Sequence, residues 1–239
     1  MIADRKPIDP RTGTGVVTGQ PQRPFVPAAG YTWLTRVYDP VMSLLMRERV
    51  WRTRLVEHVA PKPGERILDL GCGTGTLTLM LHRACPEAEI VGLDIDPEVL
   101  WIARGKADAA GGHVTFWQGC ADDPTNVPMF RPESFDKIVS SLVFHHLTTH
   151  QKRIALAHAK TLLCPGGTIY MADWGRPQNT LMRLLFYPVQ ALDGFVNTSD
   201  SAQGLLPVFM HEAGFADVSE THHEATAFGS LRFHRGTKR

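Results

Sequence analysis

Residues 67–75 read Ile67-Leu68-Asp69-Leu70-Gly71-Cys72-Gly73-Thr74-Gly75. An apolar run ends in an acid, passes through a GxGxG loop and gives way to Leu77, Leu79, Met80 and Leu81 at helical spacing. A strand running through a glycine-rich turn into a helix is a nucleotide-binding corner. Glycine lets the backbone approach a ligand closely, and the helix start offers free N–H groups. Asp69 narrows the choice of ligand. A carboxylate beside a pyrophosphate would repel it, whereas a ligand carrying ammonium and sulfonium charges would be attracted.

S-adenosylmethionine carries both of those charges. The stretch resembles motif I of the class I S-adenosylmethionine-dependent methyltransferases, and the chain is similar to their ubiquinone/menaquinone-biosynthesis group over roughly residues 35–235. The resemblance implies S-adenosylmethionine as cofactor, held by Asp69, Gly71, Cys72, Gly73, Thr74 and Gly75.

Outward from this corner, strand and helix patterns alternate. Strands are expected at 66–70, 89–94, 113–118, 135–141 and 168–173, with helices at 76–85, 97–110 and 149–163. Pro97 suits a first helical position, and Gly111-Gly112 closes that helix. Such alternation argues for a parallel sheet with helices on both faces. One bulky apolar helix is expected over 177–193 and a last core helix over 204–213. Two β-like runs, 216–221 and 225–235, close the chain. By the resemblance they form an antiparallel hairpin. The expected fold is therefore α/β: a Rossmann-like, doubly wound, seven-stranded, mostly parallel sheet with an antiparallel last hairpin and a helical lid.

Residues 1–30 hold Pro7, Pro10, Pro21, Pro24 and Pro27 among several glycines and are expected to form a flexible arm. The remainder, 31–239, is expected to be one methyltransferase domain, with 31–60 (helical from about Pro40) and 176–200 forming the lid. Hydrophobic residues make up 43% of the 239, enough for a core of that size.

Asp94 follows the glycine loop by the interval at which a strand-end acid reaches two ribose hydroxyls. Asp96, just before Pro97, reads as a helix cap. Ile95 would lie against the adenine. Where the family often has an acid for the adenine amino group, this chain has Gly119-Cys120-Ala121-Asp122. A thiol accepts poorly, so the contact falls to the backbone at Cys120 and Ala121, or Asp122 or Asp123 swings in. Phe135-Asp136-Lys137-Ile138-Val139-Ser140-Ser141 resembles the family's fourth strand and implies Ser141 under the methionine portion. Cys164-Pro165-Gly166-Gly167 is expected to be a tight turn.

The methyl of a sulfonium is already electrophilic, so methyl transfer depends mostly on in-line placement of the acceptor. A base is needed only where the acceptor must lose a proton. His145 and His146 are the candidates; packing on the cofactor and capping of the next helix are the other readings. Tyr38, Asp173 and Trp174 are candidates to face a small-molecule acceptor, aromatic or apolar given the aromatic-rich covering segments.

Net charge is +1, so nothing suggests nucleic acid as partner. Arg47, Arg49, Arg52 and Arg54 read as a solvated helix face or as a contact for an anionic substrate or lipid surface. The cysteines (Cys72, Cys85, Cys120, Cys164) show no disulfide or metal-ligand spacing, so no metal is expected and a cytoplasmic setting fits. Neither a secretory signal nor a membrane span is expected, though peripheral membrane contact stays open. Other readings of the same loop are a phospholipid N-methyltransferase, a nicotinamide-dependent dehydrogenase and a non-catalytic cofactor-binding protein. Asp69 and the missing third glycine of GxGxxG speak against the dehydrogenase. The oligomeric state is not encoded in any pattern found.

Overall fold

A computed structural model describes residues 48–239. Tyr38, the 1–30 arm, Arg47 and the first part of the expected lid lie outside the described residues.

Helix α1 (Glu48–Val59) precedes β1 (Arg66–Leu70), α2 (Thr76–Ala84), β2 (Glu89–Asp94), α3 (Pro97–Ala110) and β3 (Thr115–Gln118). There follow β4 (Phe135–Ser141), α4 (Thr149–Leu162) and β5 (Leu163–Trp174). Short helices α5 (Thr180–Leu185), α6 (Tyr187–Asp193), α7 (Phe195–Gln203) and α8 (Leu206–Glu212) lead to β6 (Ala216–Thr226) and β7 (Gly229–Thr237). The strands form one seven-stranded sheet in the order β3-β2-β1-β4-β5-β7-β6. All neighbours from β3 to β5 are parallel, and β7 runs antiparallel to both β5 and β6.

The strand chemistry explains this arrangement. Ile67, Leu68 and Leu70 in β1 are completely buried, as a central parallel strand with helices on both faces requires. Successive side chains point to opposite faces. Leu68 and Leu70 join Phe135, Ile138, Leu156 and Phe209 in one apolar layer. Ile67 joins Trp51, Leu55, Leu77, Leu81 and Phe233 in the other. Helix ends are closed by side chains. Asp96 Oδ1 accepts from the Glu98 amide at 2.8 Å, with Pro97 in the first turn. Thr148 and Gln151 form a reciprocal capping box at α4, a device worth about 1 kcal/mol.

Four expectations need correction. Residues 164–167 do not interrupt β5. Gly166 (φ 79) bends the strand through a register shift opposite Phe135–Lys137, and the Gly166 and Lys238 amides bond Lys238 and Gly167 carbonyls. The single helix over 177–193 is two, α5 and α6, divided near Phe186 because Pro188 has no N–H to continue the ladder. Helix α7 is held in place by buried Lys152, whose Nζ donates to the Asn197 carbonyl at 2.5 Å and to Asp200 at 3.1 Å. The closing hairpin is longer on β6 than expected, and β3 begins two residues later, at Thr115.

Sheet order reverses between β1, whose next strand β2 lies to one side, and β4 on its other side. In open α/β sheets ligands bind at such a reversal, beyond the carboxyl ends of the strands, which here are those of β1 and β4.

Candidate active site

The loop after β1 is tied to its neighbours. Gly71 and Cys72 amides donate to the Leu93 carbonyl at 2.8 and 2.9 Å. Gly71 (φ 77) lies so close to Val143 that a Cβ there would collide with both valine methyls. Gly73 (φ 52) instead faces open space, with nothing within 4 Å of where its Cβ would stand. Its amide donates to Asp94 Oδ2 at 2.8 Å, while the Asp96 amide donates to Asp94 Oδ1 at 3.0 Å. A carboxylate has about four acceptor sites, so Asp94 keeps capacity for two hydroxyls. Burial pushes its pKa up. Thr74 accepts from Lys106 Nζ at 2.8 Å, Gly75 caps α2, and Ile95 lies partly exposed just past Asp94.

Asp69 is wholly buried. Thr78 Oγ1 donates to its Oδ2 at 2.6 Å, and Oδ1 has no partner among the described residues. Desolvation raises its pKa to about 6, against the lowering effects of Thr78 and of Arg52. A carboxylate left this way calls for a cationic ligand. Together with the vacant Gly73 face and the spare capacity of Asp94, it fits a molecule with an ammonium at one end and a ribose at the other.

Arg52 acts on Asp69 only through its charge, which lowers the Asp69 pKa. It pairs with Glu48 and donates from Nη1 to Ser141 Oγ at 3.3 Å. The arginines of α1 therefore do not form one solvated face: Arg52 turns to the strand ends, Arg54 reaches His222 and Glu224 on β6, and Arg49 is exposed. Glu48 and Arg52 pair at i, i+4 spacing, a surface pattern that does not by itself mark an inward turn. Cys120 and Ala121 sit at the end of β3, where the Gly119 amide donates to the Asp94 carbonyl at 2.9 Å. Asp122 does not swing toward them. It is buried and accepts from Gln151 Nε2 at 3.0 Å.

Asp173 ends β5 and is buried. It accepts from the amides of Val143 (3.1 Å), Phe144 (2.7 Å) and Trp174 (2.7 Å), and from His145 Nδ1 at 2.7 Å. Burial alone would raise its pKa, but the His145 charge and these donors hold it below the ordinary value. An ionised Asp173 only accepts, so His145 donates from Nδ1, and its Nε2 points away from Asp173. His146 packs on His145 with ring centroids 4.0 Å apart. Desolvation, then His145, pushes the His146 pKa down. Trp174 packs edge-on to His145 and against Phe186 of the covering segment. Asp193, at the end of α6, approaches His145 Nε2 at 3.6 Å and His146 Nδ1 at 3.7 Å. Burial pushes its pKa up. Sequence reading missed Asp193 because it ends an apolar helix far along the chain and belongs to no motif.

Residues 67–167 match the methyltransferase domain family. The chain is 32% identical over 206 residues to demethylmenaquinone methyltransferase of Thermus thermophilus, covering 79% of this chain and 89% of that protein. The chain belongs to the ubiquinone/menaquinone-biosynthesis group of S-adenosylmethionine-dependent methyltransferases. A second relative, the ubiquinone/menaquinone biosynthesis C-methyltransferase of Teredinibacter turnerae, is 29% identical over 211 residues, with 80% and 81% of the two chains covered. The fold is similar to that of Haemonchus contortus phosphoethanolamine N-methyltransferase 2 in complex with S-adenosyl-L-methionine. There the TM-score is 0.63 at 16% identity, over 79% of this chain and 52% of that one. This methyltransferase uses S-adenosylmethionine as methyl donor to a small-molecule acceptor. None of its described helices is long and apolar enough to cross a membrane.

Proposed function

We propose that this methyltransferase modifies a hydroxylated aromatic acceptor, a phenol or hydroquinone, whose hydroxyl stands over Nε2 of His145. The observation that carries this reading is the buried Asp173–His145 pair at 2.7 Å, which fixes the ring with Nε2 turned away from Asp173. The names of the relatives, both enzymes of quinone biosynthesis, support the acceptor class. The aromatic wall of Trp174 and Phe186 supports a flat apolar ring.

In this reading the cofactor supplies a sulfonium-activated methyl group. Asp94 holds the ribose, the Gly71–Gly75 loop lies along the adenosine, and Cys120 and Ala121 border the adenine with Ile95. Asp69 faces the ammonium, while Ser141 and Arg52 stand at the methionine end, Arg52 as partner for the carboxylate. His145, fixed by Asp173, activates the acceptor hydroxyl. Loss of that proton places charge on the phenolic oxygen and its ring carbons, so either atom becomes the nucleophile. Residues 31–239 act as one domain, in the cytoplasm, with 176–200 covering the acceptor.

The test is turnover of labelled S-adenosylmethionine against phenols, hydroquinones and ethanolamine headgroups. Transfer to hydroxylated rings alone is expected. Transfer to the amine alone would overturn the acceptor class in favour of N-methylation.

A further inference from the structure

His145 and His146, on the 3₁₀ turn after β4, meet Asp193, on α6, at one point. Asp193 Oδ2 is 3.6 Å from His145 Nε2, its Oδ1 is 3.7 Å from His146 Nδ1, and the three donor atoms all lie within 4.8 Å of one another. These separations are too long for hydrogen bonds. Among the described residues no N–H or O–H group donates to Asp193, although its side chain is only 15% exposed. Two ligands of a tetrahedral metal bound at ~2.0–2.1 Å stand roughly 3.4 Å apart, within a few tenths of the two Asp193–histidine separations.

The surroundings carry the same signature. A metal-binding histidine usually gives its other N–H to a carboxylate, which fixes ring and tautomer. Asp173 accepts from His145 Nδ1 in that way at 2.7 Å. Asn197 Nδ2 donates to the His146 carbonyl at 3.1 Å and steadies the second ligand. Imidazole and carboxylate together suit zinc and its neighbours more than magnesium or calcium.

We propose that His145 Nε2, His146 Nδ1 and Asp193 bind one divalent transition metal of the zinc type, with a coordination position left open. Three protein ligands and an open position are the pattern of a catalytic rather than a structural site. The inference rests on the acceptor reading above and specifies how His145 acts: as a ligand, through the cation. An acceptor hydroxyl at the open position is acidified and releases its proton to solvent. The acceptor's electron pair then forms the bond to the methyl carbon as the carbon–sulfur bond breaks, and the donor leaves as the neutral thioether.

The test is spectroscopic. Full-length protein stripped with a chelator is titrated with Co²⁺, followed by its visible d–d absorption, with Zn²⁺ competition and metal analysis of the dialysed complex. One Co²⁺ per chain is expected, displaced by Zn²⁺. His146→Gln, at an exposed ring, and Asp193→Asn should each weaken binding at least tenfold while S-adenosylhomocysteine still binds, and Asp173→Asn should weaken it about 10–100-fold. Absence of a site in the wild type overturns the proposal. So does binding unchanged in both His146→Gln and Asp193→Asn, which would assign the metal to other residues such as His222 and His223. Full turnover by the stripped protein on a phenol would sink the metal and leave the acceptor reading standing. Failure of every hydroxylated acceptor with Co²⁺ bound would sink the acceptor reading and leave the site.

Discussion

Thr78 Oγ1 donates to Asp69 Oδ2 at 2.6 Å, and the other oxygen of this wholly buried carboxylate has no partner among the described residues. The hydroxyl offsets part of the burial cost but not all of it, so the pKa stays near 6. A bound cation is the natural second partner. The site is thus left incomplete at the point where the cofactor's ammonium is assigned.

That incompleteness gives cofactor binding a pH dependence. Below about 6 Asp69 is protonated in the free protein, and binding the ammonium must expel that proton. Affinity for S-adenosylhomocysteine should therefore rise with pH up to about 6 and flatten above, falling up to tenfold per unit on the acid side. Stability runs the other way. The folded pKa lies above the ordinary carboxylate value, so the ligand-free protein loses stability as pH rises from about 4 to about 6, on the order of 3 kcal/mol from this group. Calorimetry in buffers of different ionisation enthalpy reads the proton release, and Asp69→Asn should abolish both effects.

Asp94 takes two backbone amides and is assigned two ribose hydroxyls. Asp94→Ala should weaken S-adenosylhomocysteine binding by about 2 kcal/mol, roughly 30-fold. Unchanged affinity in calorimetry would remove the ribose assignment.

Gly71 and Gly73 should fail in different ways. Gly71→Ala forces a methyl into Val143 at positive φ and should cost about 3 kcal/mol of stability in denaturant unfolding. Gly73→Ala meets open space, so it should cost only about 1 kcal/mol of backbone strain while lowering cofactor affinity at least tenfold. Equal melting and equal binding of the two variants would contradict the view that one glycine packs and the other admits ligand.

Asp173 is expected to act by positioning. Asp173→Asn keeps the size of the side chain but removes the charge that fixes Nδ1–H of His145. The chemical step should slow about 10²–10³-fold with S-adenosylhomocysteine affinity within a few-fold. Single-turnover rates separate the two. Equal loss of both would mean that the carboxylate merely holds the Val143–His145 backbone.

The first half of the fold was legible because its signals are local. β1, β2, β4 and α3 fall where the apolar runs, Pro97 and Gly111 put them. The covering segment was not, since Pro188 divides an otherwise helical apolar pattern and α7 is fixed by Lys152, a tertiary contact. At the site, the glycine loop and Asp94 could be found by spacing alone. Arg52 could be found only by choosing one arginine among the three of α1. Asp193 could not be found at all, because its meaning lies in convergence with His145 and His146.

Methyl transfer in this enzyme is proposed to turn on activation of the acceptor hydroxyl at His145. That activation is read from the single-turnover rate of methyl transfer to a hydroquinone by His145→Gln, taken beside its S-adenosylhomocysteine affinity. A rate lowered about 100-fold or more with affinity unchanged is the expected result; a rate equal to wild type would contradict the account.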